Sequence, residues 1–354
     1  MQFKEIIGQE DATQRLHDAI NQNRMPHALL LTGPSGVGKL AFAQAIAQYI
    51  NCENKQDGDS CGKCPNCLKI RKGIHPDVHF ILPIISKTSG GKKLLTGDFY
   101  QDFRESFVED PYFSFAEWQQ KLGGESKQLF ISVDEIRALK RRIFLKSFEA
   151  PYKVVIVWQA ELIRTEGANA FLKLLEEPPE RTQIIMTCSD PTRLLTTINS
   201  RCQRMQLGRI PLPQVQTYLE EKRDIPAAEA EEIAHISNGS IGVATGYLSE
   251  SSQTMSKVYA EWLRAVYLGD YQKIDDQVQV IVGESKEFQK LFLAIAVKKM
   301  RDALMYHLKV PQLALVTSSE KAFQEKFAAT IDPDKVQEIT QLMEDARRHI
   351  AGNA

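Results

Sequence analysis

The sequence predicts an α/β fold: a parallel, doubly wound sheet carrying a phosphate-binding loop, followed by helical domains. Two observations carry this. The short apolar run ALLLT (28–32) ends at Gly33, and a glycine-rich loop then leads into LAFAQAIAQYI, where Phe42, Ile46, Tyr49 and Ile50 recur at helical spacing. Two further apolar runs, KVVIVW (153–158) and QIIMTC (183–188), flank EGANAFLKLLEEPPE. There Ala168, Phe171, Leu172 and Leu175 repeat at helical intervals, and the helix should stop before Pro178. Strands alternating with helices imply a parallel sheet.

On this reading residues 1–208 form one α/β domain with inserts. LGRIPLP (207–213) reads as a linker, because two prolines and a glycine interrupt regular structure. A small helical domain is expected at 209–249. After the polar stretch SESSQT, a helix-rich region is expected at 250–354. There is no internal repeat and no low-complexity tract.

The 354 residues suffice for two to three domains at ~100–200 residues each. The apolar share is 43% and the charged share 25%, so a sizeable core is available. A formal net charge of −1 argues against a general nucleic-acid clamp and leaves only local patches for DNA contact. No apolar run reaches membrane-spanning length, and the first residues lack the apolar stretch of a signal peptide, so a cytoplasmic protein is expected.

Four of the six cysteines, Cys52, Cys61, Cys64 and Cys67, form C-x8-C-x2-C-x2-C. Four thiolates at knuckle spacing suit a closed, tetrahedral, structural zinc site. An iron–sulfur cluster is the lesser alternative. Cys188 and Cys202 read as plain core or near-core residues.

The loop Gly33, Pro34, Ser35, Gly36, Val37, Gly38, Lys39, Leu40 is a nearly complete nucleotide cradle. Backbone N–H groups would hold phosphates and Lys39 would reach the β and γ positions. Leu40 stands where a Ser or Thr would ligate Mg²⁺. The strand VVIV (154–157) runs into Trp158 and Gln159, not into the carboxylates that hold metal and activate water. Glu161 reads as a solvated helix-start residue. Three missing oxygen functions argue against ATP hydrolysis by this chain. They leave open whether ATP or ADP still binds or the loop is only a retained strand-to-helix turn.

An aromatic-rich insert spans 83–127. Phe99, Phe103 and Phe107 line one helical face, and Tyr100, Tyr112, Phe113, Phe115 and Trp118 accompany them. The insert is expected to pack on its own domain, with partner docking as the alternative. Arg201, in Ser-Arg-Cys, lies past the end of the QIIMTC strand. It reads either as a salt-bridged surface residue or as an arginine finger for a neighbour's γ-phosphate, a role worth ~10³–10⁵ in rate.

The stretches IIGQE (6–10), RMPHALLLTGPSGVGK (24–39), the cysteine knuckle, IHPDVHF (74–80), ANAFLKLLEEPPE (168–180) and NSRCQ (199–203) together are specific. With them the chain resembles the delta-prime subunits of bacterial DNA polymerase III clamp loaders, in the AAA+ superfamily. The resemblance covers most of 1–208 and continues more weakly beyond. It implies an AAA+ domain with a zinc module at 52–67, a helical lid and an all-α collar that joins a five-subunit ring. It implies a stationary, non-hydrolysing subunit of a DNA-directed DNA polymerase (nucleotidyltransferase) holoenzyme, which helps load a sliding clamp onto primed DNA.

The resemblance also assigns roles. Arg201 would complete the ATP site of an adjacent motor subunit. Ser189 falls near a nucleotide-sensing position, and the lid's sensing arginine would fall at about Gly242. The 83–127 insert lies outside the family pattern, and the loop is better preserved than an inert subunit requires. Two other readings stand beside this one: an active gamma/tau-like clamp-loader ATPase, and an independent zinc-knuckle nucleic-acid binder.

Overall fold

Leu29, Leu30 and Leu31 are almost wholly buried, as a central parallel strand covered on both faces must be. They belong to β1 (Ala28–Thr32). In the computed structural model, all residues are described except 23, 57, 87, 90–91, 124–127, 249–250, 285, 315, 317–320 and 353–354. The expected boundary at 249/250 and parts of the 83–127 insert therefore lie outside the described residues.

The sheet contains β1, β2 (Val78–Ile81), β5 (Lys153–Val157), β6 (Thr182–Cys188) and β7 (Gln203–Gln206). Its order is β2-β5-β6-β1-β7, and every pairing is parallel. A separate two-stranded hairpin joins β3 (Thr88–Ser89) to β4 (Lys92–Lys93). This is the doubly wound parallel sheet expected from the sequence.

Helices α1 (Glu10–Asn21), α2 (Lys39–Ile50), α3 (Pro65–Arg71), α4 (Tyr100–Glu109), α5 (Phe115–Lys121), α6 (Val133–Ile143) and α7 (Thr165–Glu176) accompany the sheet. From α6, Ile136, Leu139 and Ile143 enter a core with Leu30, Val155, Val157, Ile184 and Met186. From α7, Phe171, Leu174 and Leu175 join them, whereas Leu172 is only partly buried. Helix α2 packs against β1, β5 and β6 and is buried from Lys39 to Tyr49, including Gln44 and Gln48. Those amides find partners: Gln44 Nε2 donates to Ile70 O at 2.9 Å and Gln48 Nε2 to Ser60 Oγ at 2.8 Å.

The expected linker at 207–213 is shorter than the sequence suggested. After the four-residue α8 (Thr196–Asn199), helix α9 (Leu212–Arg223) begins within that stretch. Pro213, at its second position, needs no intrahelical N–H partner there. Leu207 and Ile210 are buried.

The chain divides into two compact units: Met1–Gln214 with Ser240–Gly242, and Val215–Gly239 with Val243–Ala354. The second is built of helices: α9 from Val215 on, α10 (Ala227–Ser237), α11 (Ile241–Tyr247) from Val243 on, α12 (Ser251–Leu268), α13 (Tyr271–Gly283), α14 (Lys286–His307), α15 (Lys321–Ala328) and α16 (Pro333–Gly352). Helix α14 packs against α12, α15 and α16, and contributes the buried Phe288, Phe292, Ile295 and Met300.

Candidate functional site

The loop from Gly33 to Gly38 connects β1 to α2, in the strand–loop–helix order a phosphate cradle needs. Gly36 and Gly38 have φ of +74° and +86°, a region open to glycine. Both also have close neighbours. A Cβ on Gly36 would lie 2.4 Å from Ser240 Oγ and 2.5 Å from Gly242 N. A Cβ on Gly38 would lie 2.5 Å from the Tyr112 ring.

The cradle is thus lined by the chain itself. Gly242 N–H donates to Gly36 O at 3.3 Å, and Ser240 Oγ donates to Ser35 O at 2.8 Å. Tyr112, from the aromatic insert, lies against Gly38 and accepts the Ile7 N–H on its hydroxyl at 2.8 Å. Gln9 joins the loop to the chain after β7: its Nε2 donates to Val37 O at 3.4 Å, and its amide meets Gly208 in both directions, at 2.9 and 3.2 Å. Val37 is fully buried and Leu40 is 5% exposed, so each serves the core.

Lys39 turns back onto its own loop. Its Nζ donates to Gly33 O at 2.8 Å and to Pro34 O at 2.6 Å. Burial brings the ammonium down to about 8, against the partly compensating charge of Glu161.

Glu161 is not the solvated residue expected. Its Oε1 accepts the backbone N–H of Ser189 at 2.7 Å and of Asp190 at 3.3 Å. Burial, with Glu161 beside it, pushes the Cys188 thiol up. Gln159 adopts a left-handed conformation, donates its N–H to Thr187 Oγ1 at 3.0 Å and accepts from Ser189 Oγ at 3.2 Å. The ends of β5 and β6 are therefore laced to each other by neutral amide and hydroxyl groups and one carboxylate.

Trp158 looks in sequence like a lost carboxylate. In the structure it is an aromatic hub, 5% exposed. Its ring centroid lies 5.1 Å from Phe113, 5.9 Å from Phe103 and Phe115, and 6.4 Å from Trp118. Phe103, Phe107 and Trp118 are essentially inaccessible to solvent, and Trp118 Nε1 donates to Pro83 O at 2.8 Å. Phe80 of β2 meets Phe103 at a tilt and Phe107 edge to face, with ring centroids 5.3 and 5.6 Å apart. The aromatic face of the insert packs on its own domain.

Cys52 follows α2, Cys64 caps α3 and Cys67 lies within α3. The Sγ atoms of these three and of Cys61 all lie within 4.8 Å of one another, and those of Cys61 and Cys67 are 3.9 Å apart. Zinc–sulfur bonds of ~2.3 Å place tetrahedral sulfurs ~3.8 Å apart, so the cluster fits one ion. Backbone N–H groups of Lys63 and Cys64 point at Cys61 Sγ and lower that thiol to about 6, whereas burial raises Cys52 and Cys67. The module is stitched to the N-terminus and to the end of α2: Phe3 N–H donates to Asp59 Oδ1 at 3.0 Å, and Asn66 Nδ2 donates to Asn51 O at 3.0 Å.

Arg201 follows α8. Its Nε and Nη2 both meet Glu176 Oε1, at 2.7 and 2.6 Å, and Nη1 donates to Thr197 O at 2.9 Å. Glu176, Gln9 and Tyr112 were not singled out by sequence reasoning as site residues. Each lies in a stretch that drew attention for another reason.

A sequence profile of the family described as "DNA polymerase III, delta subunit" matches residues 8–211. The chain belongs to this family. It is 26% identical over 305 residues to DNA polymerase III subunit tau of Bacillus subtilis, covering 85% of this chain and 45% of that protein. It is 24% identical over 371 residues to subunit tau/gamma of Haemophilus influenzae, covering 99% and 47%. The chain thus spans about half the length of these curated relatives. Among solved structures it is similar to a gamma subunit-related protein from Thermotoga maritima, with a TM-score of 0.38, 15% identity, and 95% and 100% coverage. Among the described residues no helix is long and apolar enough to cross a membrane.

Proposed function

We propose that the chain is a non-hydrolysing, delta-prime-like subunit of a DNA polymerase III clamp loader. The observation that carries this reading is the state of the cradle. Lys39 is spent on Gly33 and Pro34, Leu40 and Trp158 are buried where metal-holding oxygens would be needed, and Gly242 rests on Gly36. Phosphoryl transfer depends on a positioned metal, and Leu40 and Trp158 offer no oxygen to hold one. The Gly33–Leu40 loop then acts as a structural joint, and ATP or ADP bound there would not be turned over.

The remaining roles follow from the family. Arg201, one-third exposed, would be supplied in trans to the ATP site of a motor subunit in a five-subunit ring. The four cysteines would hold one structural Zn²⁺. Residues 209–249 would serve as lid and 250–354 as collar, and contact with the sliding clamp and primer–template DNA would come through the assembly, in the cytoplasm. A gamma/tau-like motor is the second reading, favoured by the names of the relatives.

Two measurements separate them. The purified chain should show no ATP turnover above that of its Lys39→Ala variant. In the reconstituted assembly, Arg201→Ala should leave assembly intact and lower DNA- and clamp-stimulated turnover. Turnover by the chain alone that dies with Lys39→Ala would overturn the first reading.

A further inference from the structure

We infer that Glu176 is a positioning residue for Arg201: it parks the guanidinium in the undocked chain and releases it to a neighbour's polyphosphate. This rests on the reading of Arg201 as an arginine supplied in trans.

The geometry is specific. Glu176 is the last residue of α7, where unsatisfied helix carbonyls add negative potential. One oxygen, Oε1, takes both Nε and Nη2, at 2.7 and 2.6 Å. Nη1 is held on the other side by Thr197 O at 2.9 Å and Ser200 Oγ at 3.4 Å. Both faces of the fork that would grip a phosphate bidentately are occupied by the chain's own acceptors.

The pair is cheap to exchange. The Arg201 and Glu176 side chains are 34% and 47% exposed, where ion pairs are screened and add little to stability. A polyphosphate carries several charges against one on the carboxylate, so it wins the guanidinium once it is within reach. Glu176 thereby confines a long, flexible side chain to one rotamer without locking it. Before docking the arginine is ordered and neutralised, and on docking the carboxylate is the competitor that sets how much phosphate is needed.

The test uses the reconstituted assembly, with stimulated ATP turnover measured against ATP concentration. Glu176→Gln should lower the half-saturating ATP concentration by roughly two- to fivefold, the worth of an exposed ion pair, with little change in maximal rate. Glu176→Asp should restore wild-type behaviour. The double variant with Arg201→Ala should match Arg201→Ala alone, because the effect runs through that arginine. An unshifted concentration dependence for Glu176→Gln, a fall in maximal rate like that of Arg201→Ala, or a shift that persists in the double variant would each overturn the parking role. If Arg201→Ala itself leaves turnover unchanged, the in-trans reading falls and the parking role with it. A loss with Arg201→Ala beside an unchanged Glu176→Gln removes only the latter.

Discussion

Gly242 donates its backbone N–H to Gly36 O at 3.3 Å, and a Cβ on Gly242 would stand 2.9 Å from Gly36 Cα. The position where a sensing arginine was expected is thus packed on the phosphate loop by its backbone. Absence of the side chain is a condition of the contact.

Gly242→Ala should therefore destabilise the chain by ~1–3 kcal/mol, as overpacking of a close backbone contact does. Urea unfolding of the purified chain would register the loss without any nucleotide present. Unchanged stability would mean that the loop and Ser240–Gly242 are not a joint.

Lys39 gives a pH signature. Its folded value of about 8 lies below the ordinary 10.5, so between the two the unfolded chain binds more protons at this site. The group's contribution to stability therefore rises as pH increases from about 8 towards 10, by up to ~3 kcal/mol in all. Thermal melts of wild type and Lys39→Met across this range should converge, with wild type gaining on the variant as pH rises. A constant gap would show that Lys39 is not buried as a cation.

Trp158→Asp restores the carboxylate that a nucleotide-hydrolysing strand would carry, but places it among Phe103, Phe113, Phe115 and Trp118. The expected result is loss of about 3–5 kcal/mol, from the vacated aromatic volume and the desolvated acid, with no gain of ATP turnover. A stable, ATP-hydrolysing variant would contradict the hub assignment.

For the cysteine cluster, metal analysis should find about one zinc per chain and none in Cys61→Ser. Chelation should lower the melting temperature of the wild type, because the knuckle carries Asp59 and Asn66, which tie it to Phe3 and Asn51. Iron in place of zinc, with visible absorption, would point to the cluster alternative.

Several parts of this fold were legible because their signal is local. The apolar run 28–32, the glycine loop and the helical spacing of Phe42 and Ile46 lie within a few residues of one another, as do the cysteines. Strand β2 carries a comparable apolar run, VHFIL (78–82), which the sequence reading passed over, whereas β7 left no such signal. β7 is Gln203–Gln206, mostly exposed and without apolar periodicity, and it is a strand because β1 offers it a parallel edge. Glu161 was misread for a related reason: a carboxylate after a strand looks solvated until the N–H groups of Ser189 and Asp190 are brought to it.

By itself the sequence determined three strands of the parallel sheet, the grouping of four cysteines and the want of a side-chain oxygen at Leu40, since each depends on residue type and short spacing. Only the tertiary structure decided what the residues at these positions touch. Trp158 became the centre of an aromatic layer, Tyr112 and Gly242 closed on the loop, and Glu176 took Arg201. These contacts join residues distant in the chain. They depend on how packed surfaces meet, which the order of residues along the chain does not display.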